Sequence, residues 1–296
     1  MLAFPSYDQV RPIIQLALAE DVSDIGDITS TILLNPDQQG VGTIVQKSVG
    51  VACGLPVVEM ICKTADERLR VEQIPGFHFE IIEGRFSDQK TTPLVRVRGP
   101  MRALLTVERV LLNFLQQMSG MATLTNRFVR KVEGTHARIY DTRKTPPGFR
   151  LLAKYAVRAG GGQNHRVGLS DMILIKDNHL VQYTPKQLPE ALRRVVAHNA
   201  GELPIEVEVD TLEQLRAVVG VEGIDVILLD NMDCPTMDQA VQIRNEAGSD
   251  VQLEASGGVT LETVRRIAET GVERIAVGAL THSAPVLDIG MDIEAS

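Results

Sequence analysis

The sequence predicts an α/β protein in which a small mixed domain precedes a series of parallel β/α units. Three observations lead to this fold class. Short β-branched runs alternate with amphipathic helical runs after residue 136, whereas residues from about 40 to 100 mix β-like runs with Gly and Pro breaks. The chain is 44% hydrophobic with 4% aromatic residues and no Trp, so we expect an aliphatic core. Alternating strands and helices predict a parallel sheet covered by helices, open or closed into a barrel.

The first half of the chain predicts a small α+β domain. Three β-like runs occur there, "GVGTIVQK" at 40–47, "FHFEIIEG" at 77–84 and "PLVRVRG" at 93–99. One helical run, "PVVEMICKTADE" at 56–67, interrupts them. A mixture of this kind, with no alternating β/α series, is typical of an α+β domain.

A long segment without proline, residues 101–134, joins the two halves. Its apolar side chains recur at the spacing of an amphipathic helix. We therefore predict one or two helices, with an apolar face made by Leu104, Leu105, Leu111, Leu112, Leu115 and Met118.

Six predicted strands follow residue 136. They are "HARIYDT", "MILIKDN", "PIEVEVD", "DVILLDN", "VQLEASG" and "RIAVGAL", and helical runs such as "TLEQLRAVV", "TMDQAVQIRNEAG" and "LETVRRIAETG" separate the later ones. A complete α/β barrel has eight strands, so the count leaves the closure of the sheet open. In barrels the working residues lie at the carboxyl ends of the strands, and most of these runs end in polar residues.

Composition excludes several classes of function. The formal net charge of −8 argues against a general nucleic-acid binder, which needs clustered positive charge. No apolar run approaches the length of a membrane span, and the N-terminus lacks the pattern of a secretory signal. The three cysteines, Cys53, Cys62 and Cys234, show no metal-ligand or redox spacing. We therefore expect a cytoplasmic, enzyme-sized protein with reduced thiols.

The segment from Asp141 to Lys176 is basic although the whole chain is acidic. It holds seven Lys and Arg residues against two acids, a net charge of +5. Arg150, Lys154 and Arg158 are spaced by four, which predicts the solvated face of a helix. The other cations lie at predicted strand ends or loops and suit a small ligand with several carboxylates, or with phosphate: Arg143, Lys144, Arg166 and Lys176. His165, beside Arg166, is either a ligand-binding or a structural histidine.

A second cluster is acidic. In "EVEVD", Glu206, Glu208 and Asp210 share one face of a strand because side chains alternate, and the next strand ends in Asp230. Carboxylates on adjacent strand ends can hold Mg²⁺ while substrate phosphates complete its shell. The alternative is that these acids pair with the basic cluster, and both can hold.

A third cluster is rich in glycine. Ser256, Gly257 and Gly258 lie between a strand and a predicted helix, and Gly278 with Ala279 repeats this design one unit later. Backbone N–H groups at a helix start favour phosphate, and barrels often bind phosphate at the loops after their last two strands. Together the three clusters predict a site for a phosphorylated, Mg²⁺-bound substrate and an anionic co-substrate.

Long motifs along the chain resemble those of the quinolinate phosphoribosyltransferase family. They include "LAEDVSDIGDITS", "ERVLLNFLQQMSGMAT", "DTRKTPPGFRLLAKYAVRAGGGQNHRVGL", "LIKDNH", "EVEVDTLEQL", "ILLDN", "EASGG" and "VGALTHSAPVLDIGMD". The departures are small: "TPPGF" stands where the family more often has "TTPGL", and Ala255 replaces a serine hydroxyl expected near a phosphate.

The resemblance implies the type II phosphoribosyltransferase fold, an N-terminal α/β sandwich domain followed by an incomplete, seven-stranded α/β barrel. We expect the sandwich at residues 1–112, the barrel at 113–296, and a C-terminal tail from about 282 packing back on the first domain. The resemblance also implies a homodimer in which Arg109 reaches the substrate across the interface.

The same resemblance implies roles for particular residues. Quinolinate would contact Arg109, Arg143, Lys144, His165, Arg166 and Lys176. Phosphoribosyl pyrophosphate would contact Thr142, Glu208, Asp230, Glu254, Ser256, Gly257, Gly258, Val277, Gly278 and Ala279. Mg²⁺ would be held by Glu208 and Asp230, partly through water, and the catalytic set would be Lys144, Lys176, Glu208 and Asp230.

The implied reaction joins quinolinate to phosphoribosyl pyrophosphate with loss of CO₂ and pyrophosphate, giving nicotinate mononucleotide for NAD synthesis. We weigh three alternatives against it. One is a related enzyme acting on another heterocyclic acid, and a second is a barrel lyase with a Schiff base on Lys176. The third is a non-catalytic sensor of phosphorylated metabolites.

Overall fold

The computed structural model describes residues 3–22, 24–75, 78 and 82–295. The chain forms two compact units. Unit 1 comprises Met1–Asn126, Thr145–Gly161 and Ala279–Ser296, and unit 2 comprises Arg127–Lys144 and Gly162–Gly278. None of the described helices combines the length and the hydrophobicity that crossing a bilayer requires.

The first part of unit 1 alternates helices with short strands. Its elements in chain order are α1 (Tyr7–Asp21), α2 (Ile28–Leu33), β1 (Gln39–Gln46), β2 (Gly50–Val51), α3 (Leu55–Ala65), β3 (Arg70–Glu72), β4 (Phe86–Ser87), β5 (Thr92–Pro100) and α4 (Met101–Lys131). The domain boundary predicted at residues 112 and 113 falls inside the continuous helix α4, and it stays a prediction.

The elements after α4 alternate strand and helix, as the sequence pattern predicts. They are β6 (Arg138–Tyr140), α5 (Arg150–Ala159), β7 (Ile173–Ile175), α6 (Asp177–Leu180), α7 (Leu188–Asn199), β8 (Ile205–Val209), α8 (Leu212–Val218), β9 (Val226–Asp230), α9 (Cys234–Glu246), β10 (Gln252–Ser256), α10 (Val264–Glu269), β11 (Arg274–Ala276), α11 (Ala279–His282) and β12 (Ile289–Ala295). A short 3₁₀ helix, Pro185–Gln187, precedes α7. Of these elements α5, α11 and β12 belong to unit 1.

Unit 1 contains an antiparallel sheet with the strand order β12-β1-β5-β3. The C-terminal strand β12 pairs along β1, so that Gly42 lies opposite Ile293 on one side and Val97 on the other. Residues 289–295 therefore complete a sheet that begins at residue 39.

Local signals explain where the helices of unit 1 begin. The Gln9 side chain accepts the Ser6 N–H at 2.9 Å before α1, which is half of a capping box. Before α3, the two carboxylate oxygens of Glu83 accept the N–H groups of Gly54 at 2.7 Å and Leu55 at 2.9 Å. These contacts satisfy N–H groups that have no partner inside the helix.

The core of unit 1 is aliphatic, as the composition predicts. Its largest fully buried side chains include Ile14, Ile44, Leu55, Leu94 and a row along α4 made by Leu104, Leu111, Leu115 and Met118. The predicted apolar face of this segment is thus confirmed, with one exception. Leu105 is 37% exposed, whereas the other five predicted side chains are buried.

Two further expectations need correction in unit 1. Of the predicted strand at 77–84, residues 77 and 79–81 lie outside the described part of the chain, and the backbone from Ile82 to Gly84 turns instead of extending. The sequence places Lys154 on a solvated helix face, yet it is only 3% exposed, whereas Arg158 on the same helix is exposed. The spacing of four therefore marks a face of α5 that is partly buried.

Unit 2 contains a parallel sheet with the strand order β6-β11-β10-β9-β8-β7, which confirms all six predicted strands. An isolated parallel bridge between Tyr140 and Gln163 brings a seventh chain segment to the outer edge of β6. All five residues of β8 are buried. Strands of parallel sheets are commonly buried on both faces, and here the buried positions include two glutamates, Glu206 and Glu208. The predicted α/β fold class is therefore confirmed.

Candidate active site

The carboxyl ends of the parallel strands in unit 2 carry most of the predicted site residues. Parallel strands end at the same edge of a sheet, and the register places Ser256 of β10 opposite Asp230 of β9. Moving along this edge from β6 through β11, β10, β9 and β8 to β7, the chain presents Thr142, Arg143, Lys144, then Val277 and Gly278, then Ser256, Asp230, Glu208 and Lys176.

Lys176 and Glu208 form an ion pair at this edge. The Lys176 Nζ atom lies 2.5 Å from Glu208 Oε2, and the side chains are 44% and 8% exposed. β7 and β8 are adjacent, which brings the residue that follows β7 beside the fourth residue of β8. Glu208 therefore pairs with a residue of the basic cluster, which is one of the two possibilities that the sequence leaves open for the acidic residues.

The 164–166 loop, which follows α5, is held at the edge of β6 by the buried carboxylate of Asp141. Its Oδ1 atom accepts the His165 N–H at 2.8 Å, and its Oδ2 atom accepts an amide N–H of Asn164 at 2.7 Å. Asp141 is fully buried. The sequence indicates no role for it beyond its place at a strand end. Its position directly before the Arg-Lys pair is a signal that could have identified it as the anchor of the 164–166 loop.

Arg143 and Arg166 lie close enough to influence each other. Burial and the charge of Arg143 lower the pKa of Arg166. Arg166 is half-buried, and its Nη1 atom donates to the Met172 carbonyl at 3.4 Å. Lys144 is exposed, and its backbone N–H donates to the Thr142 hydroxyl at 3.1 Å. Like charges held together in this way favour an anionic ligand.

His165 and Glu254 are both buried among charged groups of the protein. His165 is 8% exposed and Glu254 is 0% exposed. The ring Nε2 atom of His165 lies 2.8 Å from Glu206 and 3.5 Å from Glu254, while Glu254 Oε2 also accepts Arg274 Nε–H at 2.7 Å. Both residues thus contact protein charges among the strands. Their assignment to the two substrates stays a prediction.

Asp230, Asn231 and Gly257 form a compact turn at the ends of β9 and β10. Asn231 has a left-handed backbone (φ 52°), its N–H donates to the Ser256 carbonyl at 2.9 Å, and its side chain donates to Asp230 Oδ2 at 2.7 Å. A Cβ on Gly257 would lie 2.1 Å from Asn231 Oδ1, so only glycine fits there. We assigned Asn231 no role from the sequence, and its place directly after Asp230 was the available signal.

The loop after β10 differs from the sequence expectation. The sequence predicts that a helix follows these glycines, with its helical run at 261–271, whereas α10 begins at Val264 and has six residues. Gly257 (φ 96°) and Gly258 (φ 58°) have left-handed backbones, which a right-handed helix cannot contain. The backbone N–H groups of Gly257 and Gly258 therefore belong to a loop and not to the start of a helix. Ala255 is fully buried, on the strand face opposite to Ser256, so the missing hydroxyl does not point toward the face that Ser256 shares with Glu254.

Two predicted groups contribute mainly backbone. The side chain of Val277 is 1% exposed and its N–H donates to the Tyr140 carbonyl at 2.9 Å. Gly278 follows it as the last residue of unit 2, and Ala279 begins the four-residue helix α11.

Arg109 is exposed on the α4 helix in unit 1.

The donor set fits a hard divalent cation. Glu208 and Asp230 offer carboxylate oxygens at the ends of adjacent strands, and Asp230 is half-buried with one oxygen bound by Asn231. Oxygen donors of this kind suit Mg²⁺, which keeps several of its waters. The residues present therefore match the predicted ion in chemical type.

Comparison with known proteins identifies relatives along the whole chain. The family described as "Quinolinate phosphoribosyl transferase, N-terminal domain" matches residues 27–119, and the corresponding C-terminal domain matches 121–292. The chain is 44% identical over 293 residues to "Nicotinate-nucleotide pyrophosphorylase [carboxylating]" of Mycobacterium leprae, covering 99% of this chain and 100% of the relative. It is 38% identical over 307 residues to "Quinolinate phosphoribosyltransferase [decarboxylating] 1b" of Nicotiana tabacum, covering 99% and 84%.

Solved structures agree with this relationship. NadC from Streptococcus pyogenes superposes with a TM-score of 0.89 at 31% identity, covering 99% of both chains. Nicotinate-nucleotide pyrophosphorylase from Ehrlichia chaffeensis superposes with a TM-score of 0.85 at 38% identity, covering 96% of this chain and 98% of the other. The resemblance seen in the sequence motifs is confirmed, and the chain belongs to the quinolinate phosphoribosyltransferase family.

Proposed function

We propose that this protein transfers the phosphoribosyl group of phosphoribosyl pyrophosphate to quinolinate and decarboxylates the adduct, giving nicotinate mononucleotide, CO₂ and pyrophosphate. The observation that carries the proposal is the shared edge of the parallel sheet in unit 2. Cations that suit a dicarboxylate lie there beside carboxylates that suit a magnesium-bound sugar phosphate. Family membership and the names of the relatives support the same reaction.

In the proposed transfer, the ring nitrogen of quinolinate attacks C1 of the ribose as pyrophosphate leaves. Arg143, Arg166 and Lys176 bind the two carboxylates of quinolinate, while Glu208 and Asp230 orient the ribose hydroxyls. Bound Mg²⁺, held by Glu208 and Asp230, would neutralise charge on the departing pyrophosphate. The contribution of the protein is mainly positioning and electrostatic stabilisation.

The decarboxylation step follows on the mononucleotide. The bond to the carboxylate next to the ring nitrogen breaks, its electron pair stays on the ring carbon, and CO₂ leaves. The positively charged pyridinium stabilises that electron pair until the carbon takes a proton. The ring is held throughout by the remaining carboxylate, which we assign to the cationic groups around Arg143 and Arg166.

The glycine loops at the ends of β10 and β11 are the proposed cradle of the 5′-phosphate. Gly257 and Gly258 have left-handed backbones and are exposed, and Ser256 adds a hydroxyl beside them. Successive backbone N–H groups in such conformations make concave anion sites. Gly278 and Ala279 would complete the cradle after β11.

A homodimer is the proposed assembly, with Arg109 supplied to the site of the partner subunit. Arg109 is exposed on α4, and unit 1 also exposes apolar side chains around α2: Ile25 (76%), Ile28 (57%), Ile32 (75%) and Leu33 (75%). Exposed apolar groups of this size often mark subunit interfaces. We propose a cytoplasmic location, noting that the rice and tobacco relatives include proteins named chloroplastic and mitochondrial.

Co-expression of two inactive variants tests the shared site. If Arg109 acts across the interface, Arg109→Ala and Lys144→Ala subunits combine into heterodimers with one intact site. Random pairing should then restore about a quarter of the wild-type activity. Heterodimers that form and stay inactive would contradict the proposed role of Arg109.

The first experiment for the reaction itself supplies quinolinate, phosphoribosyl pyrophosphate and Mg²⁺ to the purified protein. We expect nicotinate mononucleotide and CO₂ in equal amounts, with no product when nicotinate replaces quinolinate. Binding of both substrates without turnover would favour a sensor or an enzyme for another heterocyclic acid. The Schiff-base lyase gains no support from the structure, because Lys176 lies at ion-pair distance from Glu208, which suits a role as a cation.

A further inference from the structure

Four charged or polar side chains form a buried network inside the sheet of unit 2. His165 Nε2 lies 2.8 Å from Glu206 Oε2 and 3.5 Å from Glu254 Oε1, and Glu254 Oε2 accepts Arg274 Nε–H at 2.7 Å. The Arg274 guanidinium lies 3.9 Å from the centre of the Tyr140 ring. Glu206 and Glu254 are 0% exposed, and His165 and Arg274 are each 8% exposed. We refer to His165, Glu206, Glu254 and Arg274 as the interior network.

Strand register explains how these groups meet. Glu254 of β10 lies opposite Arg274 of β11 in the sheet, so their side chains emerge on the same face. Glu206 belongs to β8, and the 164–166 loop is held to the edge of β6 by Asp141, which binds the His165 N–H at 2.8 Å. The interior network therefore connects strands across the sheet with the loop that carries Arg166.

The backbone N–H of Arg166 indicates which form the His165 ring takes. That N–H donates to His165 Nδ1 at 2.8 Å, so Nδ1 acts as an acceptor and the ring proton sits on Nε2, facing Glu206. Burial lowers the pKa of His165, whereas Glu206 and Glu254 raise it by a larger amount, favouring a second proton on the ring. A proton on Nδ1 would break the contact with Arg166, so the geometry corresponds to the neutral ring.

The same contact argues against a metal ion in this cluster. One ligand atom from each of His165, Glu206 and Glu254 lies within 4.8 Å of the others, a spacing that a cation could bridge. A neutral histidine that binds a metal through Nε2 must carry its proton on Nδ1, yet Nδ1 here accepts the Arg166 N–H. Arg274 already supplies a positive charge to Glu254.

Burial of these charges costs free energy of folding, so their presence in the interior needs an explanation. Removing a carboxylate from water costs several kcal/mol, and a well-packed apolar group in its place is often neutral or stabilising. Glu206 makes its closest charged contact with His165 Nε2, at 2.8 Å, and neither of its carboxylate oxygens has a geometrically complete hydrogen bond among the described residues. Because Glu206 is buried at this cost and lies beside His165, we infer that it holds the His165 ring in its orientation.

We propose that Glu206 and Arg274 are positioning residues that hold the His165 ring, and through it the backbone of Arg166, so that the Arg166 guanidinium faces the carboxylate of the substrate. The inference rests on the proposed function for the identity of that substrate. Glu206 fixes the ring through Nε2, and Arg274 fixes Glu254 beside it. Both side chains act through His165 and do not contact the substrate themselves.

The test uses Glu206→Leu and Glu206→Gln, with Glu273→Gln as the matched control. The glutamine variant keeps an acceptor for the ring proton, whereas the leucine variant does not. Glu273 also pairs with an arginine in unit 2, Arg244 at 2.9 Å, and accepts the Leu253 N–H, and its side chain makes no contact with His165 in the part of the chain that the structure describes. The full-length protein is labelled with ¹⁵N-histidine, and the Nε2–H proton of His165 is identified by its absence in His165→Gln.

We expect a slowly exchanging Nε2–H signal in the wild type and in Glu273→Gln, a shifted signal in Glu206→Gln, and loss of the signal in Glu206→Leu. The KM for quinolinate should rise at least tenfold in Glu206→Leu and less in Glu206→Gln, while the KM for phosphoribosyl pyrophosphate changes less than threefold. Arg274→Lys should lie between the wild type and Glu206→Leu.

Failure of the proposed function is distinguishable from failure of this inference. A wild-type protein that makes no nicotinate mononucleotide would overturn the reaction, and the imidazole signal together with calorimetric binding of quinolinate would still test the positioning role. An unchanged Nε2–H signal in Glu206→Leu, or equal rises in the two KM values, would overturn the positioning role. If Glu206→Leu does not fold, Glu206→Gln and Arg274→Lys carry the same test.

Discussion

Lys176 and Glu208 join the two halves of the candidate site through a contact of 2.5 Å between the lysine ammonium and a carboxylate oxygen. The lysine belongs to the cationic set assigned to quinolinate, and the glutamate to the acidic set assigned to ribose and Mg²⁺. Because the two groups touch, a change at either one alters the electrostatic surroundings of both proposed substrate positions.

A double-mutant cycle on this pair should show strong coupling. We expect Lys176→Met and Glu208→Gln each to lower kcat/KM at least tenfold. In activation free energy, the double variant should lose less than the sum of the two single losses, since the effects of contacting residues are not additive. Arg98 and Glu72, an exposed pair 3.0 Å apart in unit 1, provide the control cycle and should leave kcat/KM within twofold. Additive losses at Lys176 and Glu208 would show that the ion pair does not couple them.

Arg143→Ala should weaken quinolinate binding far more than binding of phosphoribosyl pyrophosphate. A lost hydrogen bond to a charged group costs about 1.5–3 kcal/mol, which corresponds to a rise of roughly 10- to 150-fold in the quinolinate KM. Arg193→Ala is the control, because Arg193 is exposed and lies 3.8 Å from Glu190 on α7. Steady-state kinetics with each substrate varied in turn provide the measurement, and equal effects on both KM values would contradict the assignment.

Gly257→Ala should destabilise the protein and impair the phosphate loop. The new Cβ would lie 2.1 Å from Asn231 Oδ1, and the backbone at φ 96° already disfavours alanine. Gly134→Ala is matched in backbone (φ 80°) but meets nothing within 4 Å. We expect Gly134→Ala to cost about 1–2 kcal/mol of unfolding free energy, and Gly257→Ala about 1–3 kcal/mol more. Urea unfolding compares the two, and the KM for phosphoribosyl pyrophosphate should rise only in Gly257→Ala.

Stability should depend on pH through Glu254. Burial and the charge of Glu206 raise the pKa of Glu254 from 4.5 to about 7. Between those two values the folded protein holds a proton that the unfolded chain has released, so the unfolding free energy falls as pH rises through this window. Urea titrations at pH 5 and pH 8 should show a smaller fall for Glu254→Gln than for the wild type. An equal fall in both proteins would mean that Glu254 ionises normally.

Removal of divalent cations should abolish turnover, and added Mg²⁺ should restore it. Asp230→Asn is expected to need at least tenfold more Mg²⁺ for half-maximal activity, because a neutral amide is a weaker ligand than a carboxylate. Asp233→Asn is the control: Asp233 is a nearby acid that caps α9 by accepting the Thr236 N–H at 2.9 Å, a role that asparagine also performs. Identical Mg²⁺ dependence in both variants would remove Asp230 from the proposed metal ligands.

Much of the barrel was predictable because its signals are local. Each β-branched run of unit 2 became a strand, and each polar strand end lies at the same edge of the sheet, as parallel topology requires. The loop after Ser256 was predicted less well. Two successive glycines between a strand and an amphipathic run predict a helix start, but their positive φ angles depend on how that loop packs on Asn231, which no local pattern reveals.

Burial of charge was the least predictable feature. Lys154 lies at a spacing typical of a solvated helix face and is nevertheless 3% exposed, and no sequence pattern reveals that His165 and Glu254 are buried among the strands. Sequence patterns record the type of a side chain and its spacing. They do not record which other elements pack over it, and a buried charge is stable only with partners that come from distant parts of the chain.

The sequence by itself determined the family, the order of strands and helices in unit 2, and the set of chemical groups at the strand ends. Periodicity and motifs are patterns of residues that are close together along the chain, so they can be detected without the tertiary structure. Only the tertiary structure decided how those groups pair: Lys176 with Glu208, His165 with Glu206, and Arg274 with Glu254. These partners are between 20 and 41 residues apart, and it is the register of adjacent strands and the packing of one loop that bring them within hydrogen-bond distance.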